Sequence, residues 1–489
     1  MPVDTVHRDY SDAIETWRTI RDAVRGSRAV KQAGERYLPR LSDQTDEEYS
    51  AYRTRAQYFN ATNRTLEVLR GSVFRKNPNF NQQGLDDFLE NATPASLSMY
   101  DYCKQVAGEV LSVGRFGTLI DFPQESQWPV LCGYCAENIV NWRTARIQGR
   151  ETLVLLVLHE MSDDTVDTGG QTQQATDDGY EQTLVDQWRV FRLVPTEQDQ
   201  WFVQCEVYRV RAAGSGPGRE FVLIDSAIPT RRGTPLARIP FCFHGPENNS
   251  AAVEKAPLED IADVNLSHYR SSADLEHGRH FTGLPQPWAA GFDIQHELKI
   301  GSSTCWITES PDAKVGFLEF SGQGLGALTT AIEEKERQMA ALGARMLMPQ
   351  LKDAEAFDTV RIKHSAETSA LMASAIALGQ SMTQVLRWVA WWSGTSGAPE
   401  QEIDTTVEIN TEFVASTLRP EEITALVAAW QGDAISWETL VYNLQRGELY
   451  PDDFDSEEER QRIAERAIAT ASAQFPTKTV KNPEAEQQE

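Results

Sequence analysis

The sequence predicts an α+β chain, mainly helical, organised around two long helices that bracket a compact strand-like insert. Three observations predict it. From Pro257 to about Met348, two segments carry apolar residues at three- and four-residue steps, separated by a stretch punctuated by Gly283, Pro285 and Pro287. Residues 129–245 collect runs rich in β-branched and aromatic residues, which favour strands. Residues 1 to about 125 and 416–473 again show helical patterning with start and stop residues in place.

In chain order, YSDAIETWRTIRDAVRG, TDEEYSAYRTRAQYFNATNRTLEVLRGSVFR and PASLSMYDYCKQVAGEVLSVG each read as helical and close near a glycine, the residue that most readily ends a helix left-handed. Thr118 to Phe122 forms a short strand. TLVLLVLHE, LVDQWRVFRLV, WFVQCEVYRVR and REFVLIDSA follow as strands, interrupted from Ser162 to Gln182 by a polar acidic stretch without Lys or Arg, read as a surface loop or hairpin tip. The first bracketing helix starts at Pro257, where a missing N–H costs nothing, and lines Leu258, Ala262, Leu266, Tyr269 and Ala273 along one stripe. Glu276, His277 and His280 continue that stripe, so it turns polar toward its end. The second places Leu325, Leu328, Ile332, Met339, Leu342 and Met346 on one face, interrupted by Lys335. PQLKDAEAFDTVRIKH comes next, then a helix over 365–392 rich in Ala, Ser and Gly, whose Gln380, Gln384 and Arg387 argue against a membrane span and whose small residues suit close packing. DTTVEINTEF is a strand, and RPEEITALVAAW, ISWETLVYNLQRG and SEEERQRIAERAIATA are three helices marked by Pro420 and Gly447. The last residues, 474–489, are polar with two prolines and are expected to be disordered.

At 489 residues the chain has room for two to four domains. A net charge of −26 argues against a tight, sequence-reading grip on nucleic acid, which requires clustered Lys and Arg against phosphate. An N-terminus without an apolar signal core, and the lack of roughly 18 consecutive apolar residues anywhere, predict a soluble protein with no membrane partner. Six cysteines scattered through apolar runs read as reduced core thiols.

Motifs with chemical content are few. VGFLEFSGQGLGA places Gly322, Gly324 and Ala327 in the spacing of a dinucleotide cradle, after a strand and before a helix. The helix then runs into RMLMPQ, where a second parallel strand ending in an acidic residue belongs, and a flexible turn that starts a helix is the plainer reading. No phosphate-loop motif occurs. Cys132 and Cys135 have the spacing of a redox dithiol or half a zinc site without a second ligand pair, and His277 with His280 lacks a third ligand. No serine stands in a nucleophile elbow, and the acidic run 452–460 suits a solvated helix start. Catalysis, a cofactor and a metal are therefore not expected.

Several stretches in order do resemble one family: YLPRL, Asp46 to Pro78, Gly114 to Pro123, Ala136 to Arg143, LARIPFCFHG, Pro257 to Pro287, and LEFSGQGLGAL followed by EEKERQMAALGARML, with ISWETLVYNLQRGEL similar too. The chain resembles the portal, or head-to-tail connector, proteins of tailed bacteriophages, in a branch known through a domain of otherwise unknown function. The CGYC cysteines and the Ser162 to Gln182 loop look unusual for it.

The resemblance implies a homo-oligomeric ring, usually of twelve subunits, at one capsid vertex of the virion, assembled in the host bacterial cytoplasm. Double-stranded DNA would pass through it without sequence reading, driven by the terminase large subunit, with a head-tail adaptor and the major capsid and scaffolding proteins as further partners. It implies a wing over 1–256 and 365–415, a first stem helix over 257–283, a clip over 284–320, a second stem helix over 321–348, a channel loop over 349–364 and a crown over 416–473. The same likeness offers Gln350, Lys352, Asp353, Glu355, Asp358, Arg361 and Lys363 for the channel loop. Glu333, Glu334, Lys335 and Arg337 are the candidates for the stem lumen, and Trp288, Phe292, Trp306 and Phe317 for docking at the clip. The half-polar bracketing helices suit a ring with one wet and one packed face, and the acidity suits DNA that must slide, or simply keeps a large oligomer soluble. The competing readings are a dinucleotide-binding enzyme using Gly322, Gly324 and Ala327, and another structural virion protein such as a minor head or adaptor protein.

Overall fold

The computed structural model describes residues 2–82, 84–123, 126, 128–163, 184–196, 200–211, 220–283, 286–292, 306–307, 310–318, 322–347, 370–394, 405–413, 420–432, 434–447, 449–450 and 454–474. Helix and strand are mixed through the chain, as an α+β class requires. It divides into two compact units, Met1–Thr411 and Glu412–Glu489.

The first unit opens with α1 (Arg8–Arg25), whose face buries Trp17, Ile20 and Ala23, and Gly26 at φ 90° turns the chain into α2 (Ser27–Gln32). The stretch that reads as one helix from Asp46 onward is in fact two, α3 (Asp46–Arg55) and α4 (Ala61–Val73). A capping box starts α3: Thr45 Oγ1 accepts from Glu48 N, and the Glu48 carboxylate accepts from Thr45 N. Ala56 leaves the helical region at ψ 135°, and Asn60 caps α4 by accepting from Asn63 N at 3.2 Å. The cause of the break is tertiary, since Tyr58 and Thr62 on either side of it bond a residue far along the chain, Asn265.

Strand β1 (Asn79–Asn81) and α5 (Asp86–Glu90) lead to α6 (Met99–Val113), capped by Ser98 and ended by Gly114 in the left-handed region. Any Cβ on Gly114 would press on the backbone of Lys255 and Ala256 at 3.2 Å, so glycine is required there for space as well as for φ. Strands β2 (Phe116–Asp121) and β3 (Val130–Cys135) form one hairpin. Strands β4 (Ile139–Ile147), β5 (Arg150–Asp163), β6 (Leu184–Pro195), β7 (Trp201–Arg211) and β8 (Glu220–Ala227) make a five-stranded antiparallel meander in chain order. A small hairpin, β9 (Thr230–Arg231) with β10 (Thr234–Pro235), turns through Arg232 and Gly233, both at positive φ. Then β11 (Phe241–His244) pairs with β2 to complete a three-stranded sheet.

Two ion clusters tie these layers together. Arg189 of β6 reaches Asp121 of β2 at 3.0 Å and Glu160 of β5 at 3.2 Å, while the Tyr134 hydroxyl of β3 donates to the same Glu160. Arg21 of α1 likewise clamps Glu109 of α6 and Glu137, which follows β3. Both arginines are largely shielded, and carboxylates on two sides hold them charged by strengthening the cationic form.

Four further elements follow β11. They are α7 (Glu259–Gly283), the two-stranded ribbon of β12 (Gln286–Ala290) and β13 (Lys314–Leu318), and α8 (Gln323–Leu347). After them, α9 (Ala370–Ser393) packs against β11, α6 and β14 (Thr406–Glu408), which pairs with β1. The small residues of α9 are used for approach, because a Cβ on Gly379 would lie 3.0 Å from Val407 O.

In the second unit, α10 (Pro420–Gln431), α11 (Trp437–Arg446) and α12 (Ser456–Gln474) match the three helices read from the sequence. Ser436 caps α11, the Asp455 carboxylate accepts from Glu457 N and Glu458 N at the start of α12, and Leu440, Val441 and Leu444 are buried.

Candidate functional site

Helices α7 and α8 pack antiparallel, which their contacts fix residue by residue: Gly278 faces Leu325, Ser271 faces Lys335 and His268 faces Glu336. At one end Gly278 lets the helices close up, since a Cβ there would stand 2.6 Å from Leu325 Cδ2. Toward the other end Met339 is buried and Gly343 sits on Thr65 of α4. The hairpin is thus rooted in the helical layer at its base and carries the ribbon at its tip.

The root is polar and specific. Asn265 of α7 is fully buried; its Oδ1 accepts from Thr62 N at 3.1 Å, Thr62 Oγ1 at 2.8 Å and Tyr58 Oη at 3.0 Å, and its Nδ2 donates to Phe59 O at 2.7 Å. One amide therefore satisfies the backbone exactly where α3 and α4 separate. Two and a half turns further along α7, Tyr52 Oη donates to Asp274 Oδ1 at 2.6 Å, and burial with that carboxylate raises the phenol pKa. His277 packs its ring edge-on to Tyr52 and Phe281 and approaches Arg55 Nη2 through Nδ1 at 3.4 Å, so burial and the guanidinium lower its pKa. His280 is exposed beside Phe281, and among the described residues no cluster of His, Cys, Asp and Glu suits a metal.

The charged run on α8 divides between two faces. Glu333, Glu334 and Arg337 are exposed, with Arg337 3.6 Å from Glu333. Lys335 turns the other way, its Nζ donating to Ser267 O at 3.2 Å and Ser271 Oγ at 2.5 Å. Sequence spacing groups these four residues, whereas the structure separates the lysine from the other three. Gln350, Lys352, Asp353, Glu355, Asp358, Arg361 and Lys363 lie outside the described residues.

In the ribbon, Trp288 pairs with Gly316 and lies across it: a Cβ on Gly316 would be 2.9 Å from the indole nitrogen. Pro287 pairs with Phe317 and Ala289 with Val315, so Val315 and Phe317 share the face opposite Trp288. Exposure is 44% for Trp288, 57% for Val315 and 64% for Phe317, which leaves both faces of a two-stranded ribbon apolar and open. Phe292 and Trp306 stack edge to face, 6.3 Å apart, and Ile307 beside them is 86% exposed. Sequence reasoning passed over Val315 and Ile307; the alternation Val315, Phe317 in KVGFL carried the signal for the first.

The glycine turn has a different context from a nucleotide cradle. Gly322 takes φ 64° and its carbonyl accepts from Leu325 N at 3.0 Å, starting α8. The strand before it, β13, pairs antiparallel with β12, and among the described residues it has no parallel neighbour. Cys132 and Cys135 stand three apart on β3 and so face opposite sides of the strand, Cys132 among Asp121, Glu160 and Arg189, Cys135 among Arg21, Glu109 and Glu137. Burial pushes both thiols up to about 11, the reverse of what redox chemistry needs.

A family model described as a domain of unknown function (DUF4055) matches residues 257–393, the span from the start of α7 to the end of α9. No curated protein matches the chain. Among solved structures, chains of gene transfer agent (GTA) particles are similar. The neck of an empty particle with C6 symmetry has 11% identity and a TM-score of 0.36 over 82% of this chain and 94% of that one. The neck of a native particle with C12 symmetry has 12% and 0.35 over 84% and 94%, and the native virion 11% and 0.37 over 84% and 98%. TM-scores this low do not establish a shared fold.

Proposed function

We propose that this chain is a portal subunit, a non-enzymatic building block of a ring at one vertex of a phage-like capsid. The observation that carries the reading is the antiparallel α7–α8 pair, rooted by Asn265 and Tyr52 and ending in a ribbon that is apolar on both faces. A two-stranded ribbon is marginal in water by itself, and its exposed Trp288, Val315 and Phe317 call for a neighbour. In this reading α7 and α8 are the stem, the ribbon is the clip, and Glu333, Glu334 and Arg337 are available to face a lumen. Double-stranded DNA passes through a homo-oligomer, usually of twelve copies; the terminase large subunit and a head-tail adaptor dock at the clip, and major capsid and scaffolding proteins surround the wing. The site of action is the virion vertex, with no cofactor.

Negative-stain imaging of the purified chain tests this directly. The expected result is large particles with a central hole; a chain that stays monomeric across protein concentrations and salt overturns it. Titration with NAD or NADP is expected to leave the melting temperature unchanged, because a ligand that binds the folded state in excess would raise it.

A further inference from the structure

The five-stranded sheet has two edges, and they are unlike. On β8 every residue but Phe221 is exposed, and Val222, Leu223 and Ile224 at 37%, 48% and 44% give an apolar run on an outer strand that, among the described residues, pairs only with β7. Its charged residues are Glu220 and Asp225. At the other edge the first half of β4 is covered from the N-terminus, where His7 N donates to Val140 O at 2.9 Å, Asn141 Nδ2 donates to Thr5 O, and the His7 ring stacks on Trp142. The second half is open: Arg143, Thr144, Ala145 and Arg146 are exposed, and the charged residues here are arginines.

Natural proteins guard an outer strand with lysines, prolines or a covering segment. Among the described residues, half of β4 is covered while the other half and β8 are bare, with a bulge at Ile224 as the irregularity of β8 against β7. From these two edges we infer that a second copy of this chain is the occupant: β8 of one subunit adds to the Arg143–Ile147 half of β4 of the next, continuing the sheet from subunit to subunit. The signs choose this pairing. Edge β8 against β8 would set Glu220 and Asp225 against their own copies, and β4 against β4 would set arginine against arginine, while β8 against β4 brings opposite charges together. A joint between two different patches is head-to-tail, the kind that closes into a ring and not into a two-fold dimer. The inference rests on the ring reading above and assigns part of its subunit contact to the sheet.

Charge reversal with mixing tests it. One variant carries Arg143→Glu with Arg146→Glu, the other Glu220→Arg with Asp225→Arg. Each by itself has two edges of one sign and is expected to form rings at least about tenfold less than wild type in negative stain, since like charges brought together cost at least about 1.4 kcal/mol at each joint and the joints compound. Mixed one to one, every joint again has opposite signs, and alternating rings are expected to return toward the wild-type yield; the chain carrying all four changes is expected to assemble unaided. Single reversals that assemble like wild type overturn the edge pairing while leaving the ring reading intact. So do reversals that fail and are not rescued by mixing, with circular dichroism showing both variants folded. A wild-type chain that forms no rings overturns the ring reading and this inference with it.

Discussion

Replacing Asn265 with alanine removes four hydrogen bonds at the root of the α7–α8 hairpin. Not all of that loss is unrelieved. Tyr58 Oη keeps its bond to Ala23 O at 2.9 Å, and the Thr62 hydroxyl can rotate to another acceptor. Phe59 O keeps the bond it accepts from Ala61 N at 2.8 Å, whereas Thr62 N has no such recourse, being a fully buried backbone donor fixed at the α3–α4 break. The orphaned buried donor costs about 1–3 kcal/mol and the other weakened bonds add about 1–2 kcal/mol, so Asn265→Ala is expected to destabilise the first unit by about 2–5 kcal/mol. Pulse-labelled hydrogen exchange of peptides from α4 and α7 across a urea series reads this unit by itself, and the midpoint shift at constant slope gives the change. Thr62→Val keeps the backbone donor and removes only the hydroxyl, so a smaller loss is expected, and the two changes together should fall short of their sum because the residues share a contact. A midpoint for Asn265→Ala within about 0.5 kcal/mol of wild type would refute the argument that this amide organises the hairpin's root.

Other outcomes follow from single contacts. Gly278→Val drives a side chain into Leu325, and a loss of about 1–3 kcal/mol, relieved in part by adding Leu325→Ala, is expected in the same urea experiment. His244 is buried neutral, with Nε2 2.6 Å from Thr118 Oγ1, and burial holds its pKa down at about 3, against 6.5 when unfolded. Below pH 6.5 the unfolded chain takes up a proton that the fold refuses, so this residue's contribution is full above pH 6.5 and falls by about 1.4 kcal/mol per pH unit as the pH drops. In His244→Gln the dependence of stability on pH between 6.5 and 5 should flatten by that amount relative to wild type. Cys132 and Cys135, half-buried and pushed up to about 11, are expected to react with a disulfide reagent at pH 8 more slowly than an ordinary exposed thiol, and faster in urea; native labelling as fast as that of a free thiol would contradict the raised pKa.

Local signals in the sequence carried much of this architecture. The bracketing helices were legible from Leu258, Ala262 and Leu266 on one side and Leu328, Ile332 and Met339 on the other, the end of α6 from Gly114, and four of the meander's five strands from their β-branched runs. The weakness of a nucleotide reading was also visible, in the proline that follows the second helix. Less legible was which way each polar residue turns. Glu334 and Lys335 are neighbours in one charged run, yet one meets water and the other the serines of α7, because 100° of helical rotation separates them. CGYC looked like one site and is two, since three steps along a strand reverse the face.

By itself, then, the sequence determined where elements start, stop and alternate, because caps, turns and periodicity act over a few residues. Tertiary structure alone decided the break between α3 and α4, which rests on an amide 203 residues from Thr62, and the antiparallel contact that aims the ribbon. It also decided which sheet edges stay open among the described residues, with β4 half covered from the N-terminus and β8 exposed. Such features depend on pairs far apart in the chain, and no local pattern of residues encodes which distant partner arrives.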